Sequence, residues 1–496
     1  MPAHPHLPIE TVSICWIGLC VALACAAARA DAVSVHLTTS ASVDCSTLQS
    51  IVRDTCEGRT TDEERAVALY DFVRELVFHY PNRPIKRDVH DSLHLLNTYG
   101  YALCSQQALL LVDLWHAAGI EGEVWEVPGH STAQAEYGGK HHWFDPLIGA
   151  YVMARDGGGV ASLRDIADDP TLLTRSARDG LLPCGAVLRD DAAAFCKHNA
   201  PYIKECADLV DDATFMATLA SKAKPWAWGD PPKSKYRPDI TLRPGEEIEY
   251  LWDSIPRQSF CNVVAEGGEP REYWVSSDQL PPHHICGDDA EARDSEFEAW
   301  QPYVTDIQGV RTGRYAANGT HRYTQDVDDA PVAEIDMRAP HVYTGGRVTL
   351  DLRAGDGASL YALDLDTGES TEGIDPIWTG DGQAQQVSIR LDEAIRGIRN
   401  LRFVVEGTGV RRVAVEAIFQ HNMHARPYLV AGRNDVSVEW LNTPRNGAGL
   451  EVGYAWEEAD GRHEHSQHVA ADDHTYSIEV GGAARPRMLS LTLAAD

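Results

Sequence analysis

Between Cys104 and Ala118 the chain is apolar almost all round, with Leu109, Leu110, Leu111, Val112, Leu114 and Trp115 in close succession. A helix without a polar face is stable only when other elements cover every side of it, so this segment predicts the central buried helix of a domain. Gly119, directly after it, supplies the residue type that stops helices. Upstream, Thr60-Thr61-Asp62-Glu63 has the form of a capping box. The helix it opens carries Val67, Tyr70, Val73 and Val77 at helical spacing and ends before Pro81 and Pro84. Downstream, Val124 to Val127 and Ser131 to Tyr137 alternate like strands, and Gly138-Gly139 reads as a two-residue hairpin turn.

Cys104 stands where the loop Tyr99-Gly100-Tyr101-Ala102 runs into the buried helix. A thiol at a helix N-terminus feels the positive end of the dipole, which favours the nucleophilic thiolate. Hairpin arithmetic places two further residues. If Gly138-Gly139 is the turn, 137 pairs with 140 and 132 lies opposite 145. Position 130 shares a face with 132, so His130 and Asp145 become diagonal neighbours. Ala133, Ala135 and Phe144 take the other face, the expected core side. Nucleophile, base and orienting acid are the parts a Cys-His-Asp site requires.

The runs Tyr-Gly-Tyr-Ala-Leu-Cys104-Ser-Gln-Gln-Ala, Trp-His-Ala-Ala-Gly-Ile, Gly-His130 and Tyr-Gly-Gly-Lys-His-His-Trp-Phe-Asp145-Pro resemble the bacterial transglutaminase-like superfamily over roughly residues 60–155. The resemblance implies a papain-like α+β core and acyl-transfer or amide-hydrolysis chemistry at Cys104, His130 and Asp145. The chain departs from the family at Ala102, where many members carry Gly, and in the strand Ser-Thr-Ala-Gln-Ala after His130. The Cys104 backbone N–H is the expected oxyanion donor. Gln106 and Gln107 are expected to face the core.

Lys224-Pro225 and Pro231-Pro232 mark a linker, beyond which short β-type runs alternate with Gly, Asp and Asn. The expected fold class is therefore α+β: a transglutaminase-like, papain-type core followed by C-terminal all-β (β-sandwich) modules. Its divisions are a signal over 1–30, a lead-in over 31–59, the transglutaminase-like domain with a helical extension over 60–230, and sandwich modules over 235–330 and 331–496.

The apolar stretch from Val12 to Ala28, followed by Ala28-Arg29-Ala30, has the pattern of a cleaved export signal, so a secreted or periplasmic protein without stable membrane insertion is expected. A net charge of −31 speaks against nucleic acid as a partner. Three of the 11 cysteines lie in the signal. In an oxidising compartment Cys45 with Cys56 and Cys261 with Cys286 are natural pairs, leaving Cys184, Cys196 and Cys206 as an odd trio beside Cys104. A free Cys104 then implies one more free thiol in the trio.

Arg83, Lys86 and Arg87 form a basic run before the cysteine helix, read as an anion-binding rim, and Tyr137, His141 and Trp143 complete the expected substrate-binding set. His90 and His94 share metal-ligand spacing but have no evident third ligand, so neither metal nor cofactor is expected. Two functions follow. The first is cysteine-dependent amide hydrolysis or acyl transfer on a peptide or glycopeptide. The alternative is β-elimination on a uronate-containing, acidic polysaccharide, with His130 or Tyr137 as base. Phe419-Gln420-His421-Asn422, Arg426-Pro427-Tyr428-Leu429, Gly432 and Asn434 have the look of accessory modules in such enzymes.

Overall fold

The computed structural model describes residues 32–79, 91–102, 104–127, 130–146, 151–155, 157–169, 172, 223–225, 236–253, 255, 259–264, 270–275, 316–327, 330–380, 385–391, 394–442, 448–471, 474–482 and 486–496. The expected signal, the basic run Arg83, Lys86 and Arg87, and Cys184, Cys196, Cys206 and Cys286 lie outside them. Among the described residues no helix is long and apolar enough to cross a membrane.

The chain opens with strand β1 (Val33–Thr39) and then builds an α/β unit. Its elements are α1 (Leu48–Thr55), α2 (Asp62–Leu76), a π-helical turn (Leu95–Tyr99), α3 (Cys104–Ala117), strands β2 (Glu121–Val127), β3 (His130–Tyr137) and β4 (Lys140–Phe144), and α4 (Leu163–Asp168). The cap of α2 sits one residue later than the sequence suggested. Thr61 accepts the Glu64 N–H at 3.1 Å, and the Glu64 carboxylate takes the Thr60 and Thr61 N–H groups at 2.9 and 3.0 Å. One carboxylate satisfies two orphan amides, which favours Glu64 over Glu63 at the third position.

Helix α3 is the expected buried one: Ala108, Leu110, Leu111, Leu114 and Trp115 are fully enclosed. It ends in a Schellman motif, with Gly119 (φ 75°) bonded to the His116 carbonyl at 3.0 Å and Ile120 to that of Trp115 at 2.8 Å. The Trp115 indole donates to the Ala66 carbonyl at 3.3 Å, tying α3 to α2. Strands β2, β3 and β4 pair antiparallel and lay Val124, Ala133, Ala135 and Phe144 into the same core as α3.

The rest of the described chain is β. It comprises β5 (Ile240–Leu242), β6 (Glu247–Leu251), β7 (Ala316–Asp326), β8 (Val332–Arg338), β9 (Val342–Leu352), β10 (Ala358–Asp364), β11 (Trp378–Gly380), β12 (Gln386–Arg390), β13 (Asn400–Gly407), β14 (Val410–Asn422), β15 (Gly432–Trp440), β16 (Leu450–Glu458), β17 (Gly461–Val469), β18 (Thr475–Val480) and β19 (Arg487–Ala495), besides the hairpin Ser259–Val264 with Pro270–Val275. One eight-stranded sheet runs β12-β9-β14-β7-β6-β19-β16-β17, and two four-stranded sheets run β8-β13-β10-β11 and β18-β15-β1-β5. Their inward side chains meet in one apolar cluster that includes Val35 and Val438, Ile335 and Phe403, and Tyr250, Val415 and Leu493. Strand β9 shifts register against β14 between Tyr343 and Gly345, and just beyond, at Gly346 (φ 136°), a Cβ would lie 2.2 Å from the Glu416 carbonyl oxygen.

The largely β composition of the C-terminal half matches the expectation, but two successive modules do not. Strands β6 and β7, from residues 235–330, lie between β14 and β19, from residues 331–496, inside one sheet. Nor is 31–59 a lead-in. Val33, Val35 and Leu37 alternate inward, and β1 pairs with β15 (Val35↔Trp440) and β5 (Val35↔Ile240). The chain thus leaves the sandwich, builds the α/β unit and returns. The expected Cys45–Cys56 disulfide is absent as well: both are free thiols. Cys45 is buried in the α/β core, while Cys56, after the last residue of α1, packs half-buried against the same core with its sulfur 4.0 Å from the Arg65 carbonyl oxygen.

Candidate active site

Three stretches of local structure deliver the expected triad positions. Cys104 is the first residue of α3 and is half-buried. The segment leading to it is unusual: residues Leu95–Tyr99 form a fully buried π turn that Gly100 closes in the left-handed conformation (φ 68°), its N–H reaching the Leu95 carbonyl at 3.3 Å. Single π turns recur at functional sites because they leave backbone groups outside the regular ladder. Beyond Gly100, Tyr101–Ala102 pairs in parallel with Phe78–His79. Gln107 reaches back from α3 to donate to the Ala102 carbonyl at 3.2 Å. Gln106 and Gln107 are both buried, as expected from the sequence.

The hairpin has the arithmetic register. Gly138 (φ 60°) and Gly139 (φ 74°) both take positive φ, which a type I′ turn requires. Tyr137 pairs with Lys140 and Ala133 with Phe144. Asp145 follows directly, beside Thr132, and is 1% exposed. His130 opens β3 opposite Val127, two positions before Thr132. The side of the ladder that Thr132 takes is packed. The Thr132 hydroxyl donates to the Phe144 carbonyl and accepts the Trp143 indole N–H, both at 2.8 Å. Gln134 accepts the Leu163 N–H at 2.9 Å, which seats α4 over the sheet.

The expected substrate-binding residues separate. His141 is exposed, its ring 6.0 Å edge-on from Trp125. Trp143 is 1% exposed and spends its only polar group on Thr132, so it packs and does not line a cleft. Tyr137 is likewise removed from the site. It stacks on His142 at 3.6 Å, and its hydroxyl donates to Glu63 of α2 at 3.4 Å. Burial and the Glu63 charge push that hydroxyl well above the usual phenol range. His94 buries its ring against Tyr236 at 5.0 Å and Tyr99 at 5.4 Å, and burial pushes its pKa down to about 3, while His90 lies outside the described residues.

Among the described residues one group could converge on an ion, Glu458, Asp460 and His463 at the β16–β17 turn. Its atoms are already engaged: Asp460 pairs with His463 at 2.8 Å and Glu458 accepts the Trp456 indole at 2.7 Å. The sequence reading missed Thr132 and Gln134, whose short polar side chains organise the packed side of the hairpin. Their even spacing with Asp145 across the turn was the available signal.

No family model and no curated protein matches the chain. Among solved structures it shows slight likeness to a calcium-binding mutant of β-glucuronidase 2 from Bacteroides uniformis, at 14% identity and TM-score 0.11 over 36% of this chain and 22% of that one. Latent PorU from Porphyromonas gingivalis gives 13% identity and TM-score 0.17 over 37% and 20%. A β-glucuronidase from Ruminococcus gnavus gives 10% identity and TM-score 0.12 over 53% and 47%. The chain spans less than half the length of each, and likeness this slight assigns no class.

Proposed function

We propose that the chain is an exported, cysteine-dependent enzyme of transglutaminase-like type that opens an amide bond in a peptide or glycopeptide. The observation that supports it most is the register of the β3–β4 hairpin, which sets buried Asp145 diagonally across from position 130 in the unit whose central helix begins at Cys104. In this reading Cys104 gives its proton to His130, and the thiolate attacks the amide carbonyl. The tetrahedral oxyanion takes the Cys104 backbone N–H. His130 returns the proton to the departing amine, leaving an acyl-cysteine. Water or a second amine then attacks the thioester, again deprotonated by His130, and Asp145 holds the imidazole in the required tautomer. All the groups come from the chain itself, so no cofactor is invoked.

A second reading rests on the extent of the sandwich, which makes up most of the described chain and resembles the accessory modules of polysaccharide-processing enzymes. Here the same scaffold would cleave an acidic, uronate-containing glycan by β-elimination. With Tyr137 held by Glu63 and His142, His130 is the base that remains to it.

One experiment separates the two. The purified chain and its Cys104→Ala variant are offered peptide amides, cell-wall glycopeptides and polyuronates. Amine release that disappears with Cys104→Ala or with thiol alkylation supports the first reading. Ultraviolet-absorbing unsaturated products that persist in the variant establish the second and sink the first.

A further inference from the structure

The motif at the end of β14 that looked like part of a carbohydrate module does something else in the fold. Asn422 is fully buried, and its amide nitrogen donates to two carbonyls of the α/β unit, Leu76 at 3.0 Å and Leu96 at 2.8 Å. Leu76 ends α2, and Leu96 lies in the π turn. These two segments run on into the parallel pair Phe78–His79 and Tyr101–Ala102, whose second strand arrives at Cys104 two residues later. Gln420, also fully buried, donates to the Thr98 carbonyl at 3.4 Å, and the Thr98 hydroxyl donates to the Pro340 carbonyl at 3.4 Å. Arg426 donates to the Asn97 side-chain oxygen, while the Asn97 nitrogen holds the Cys45 and Leu93 carbonyls at 2.9 and 3.0 Å.

We propose that Gln420 and Asn422 are positioning residues: the sandwich clamps the two segments that carry Cys104, and so fixes the sulfur at the mouth of α3. The inference rests on the cysteine-enzyme reading above. Its physical basis is the irregular backbone of the π turn. The Leu96 and Thr98 carbonyls are buried, and a buried carbonyl keeps its place only while a donor meets it. Without the two amide side chains the turn has reason to relax to a regular helix. That change alters the length and direction of the path to Gly100 and shifts the start of α3.

The test needs no substrate. The rate of Cys104 alkylation by iodoacetamide is followed against pH by mass spectrometry in the full chain, in Asn422→Ala and in Gln420→Leu, which keeps its bulk and loses one donor. Circular dichroism and thermal midpoints identify which variants remain folded. The expected result is a reactive Cys104 with a lowered apparent pKa in the parent. In the folded variants the apparent pKa rises by about one unit and the neutral-pH rate falls by up to about tenfold, because alkylation follows the thiolate fraction that the end of α3 supports. Asn422→Gln, which restores a donor, recovers part of the rate. Folded variants that alkylate like a reactive parent would overturn the positioning role and leave the cysteine-enzyme reading intact. An inert Cys104 in the parent would overturn both.

Discussion

Trp143 donates its indole N–H to the hydroxyl of Thr132 at 2.8 Å, across the β3–β4 ladder and directly beside Asp145. Both residues are 1% exposed, and the same hydroxyl donates onward to the Phe144 carbonyl. Thr132→Val preserves the shape and strands the Trp143 indole N–H in the core, while the Phe144 carbonyl keeps its ladder partner Ala133. Such an orphan costs about 1–3 kcal/mol, and a loss of that size is expected in urea unfolding. A midpoint within error of the parent would mean that water or a rearranged partner reaches the indole.

How much of this could be read in advance depended on sequence distance. The hairpin was legible because glycine pairs in type I′ turns and period-two alternation are local rules, and they placed Asp145 correctly beside Thr132. Helix α3 was legible because its run from Ala108 to Trp115 is apolar but for Asp113. The sandwich was not, since its pairings are remote: β1 finds β15 at the other end of the chain, and no local pattern names that partner. Tyr137 shows the same limit within the α/β unit. No local rule indicates that α2 brings Glu63 to its hydroxyl. Asn422 stood out as part of a motif, yet the carbonyls it serves lie 346 and 326 residues away.

The free thiols make a second prediction. Burial pushes the Cys45 thiol up to about 12, and burial also raises Cys56, which is less enclosed. In the native protein at pH 8, Cys45 should therefore resist alkylation, and Cys56 should label slowly. After denaturation without reductant both should label completely. A peptide map that recovers them joined would overturn the assignment of two thiols.

Three enclosed imidazoles predict a loss of stability in acid. Burial pushes His94 and His421 down to about 3, helped by the charges of Arg399 and Arg426 respectively, and burial with Arg426, His421 and His94 holds His341 well below its usual value. They sit where the π turn meets the sandwich, with Tyr250 facing His341 and His421 at 5.5 and 5.1 Å, and Tyr236 facing His94. In the unfolded chain each titrates near 6.5, so between pH 6.5 and about 3 the unfolded state binds more protons. Stability is complete above pH 6.5 and falls as the pH drops through that window, by about 1.4 kcal/mol per pH unit for each imidazole. Urea unfolding at several pH values between 7 and 4 reads this slope. His421→Gln should remove one proton's share of it, and an unchanged slope in that variant would show that His421 is already protonated or solvated in the fold.

Glu246 anchors the opposite side of the sandwich core. At 3% exposure it accepts His321 Nε2–H at 2.7 Å and the Arg243 guanidinium at 2.9 Å through each oxygen, and His321 in turn takes the Tyr343 hydroxyl on Nδ1 at 2.7 Å. Burial alone would raise this carboxyl, but the bonds from His321 and Arg243 hold it down at about 2. With the folded value below the usual 4.5, its contribution is present above pH 4.5 and disappears as the pH falls through about 2. That window overlaps the lower part of the one set by the imidazoles and extends below it. Glu246→Gln keeps the volume and removes the charge that Arg243 and His321 face, and breaking a buried pair from one side costs about 3–5 kcal/mol. Arg243 also lies 3.7 Å over the Tyr323 ring, so its displacement should loosen β7 against β6. Hydrogen exchange at the β6–β7 ladder should therefore quicken in Glu246→Gln while the β2–β4 sheet of the α/β unit keeps its protection. Uniform loss across both would show instead that the two cores unfold as one cooperative unit.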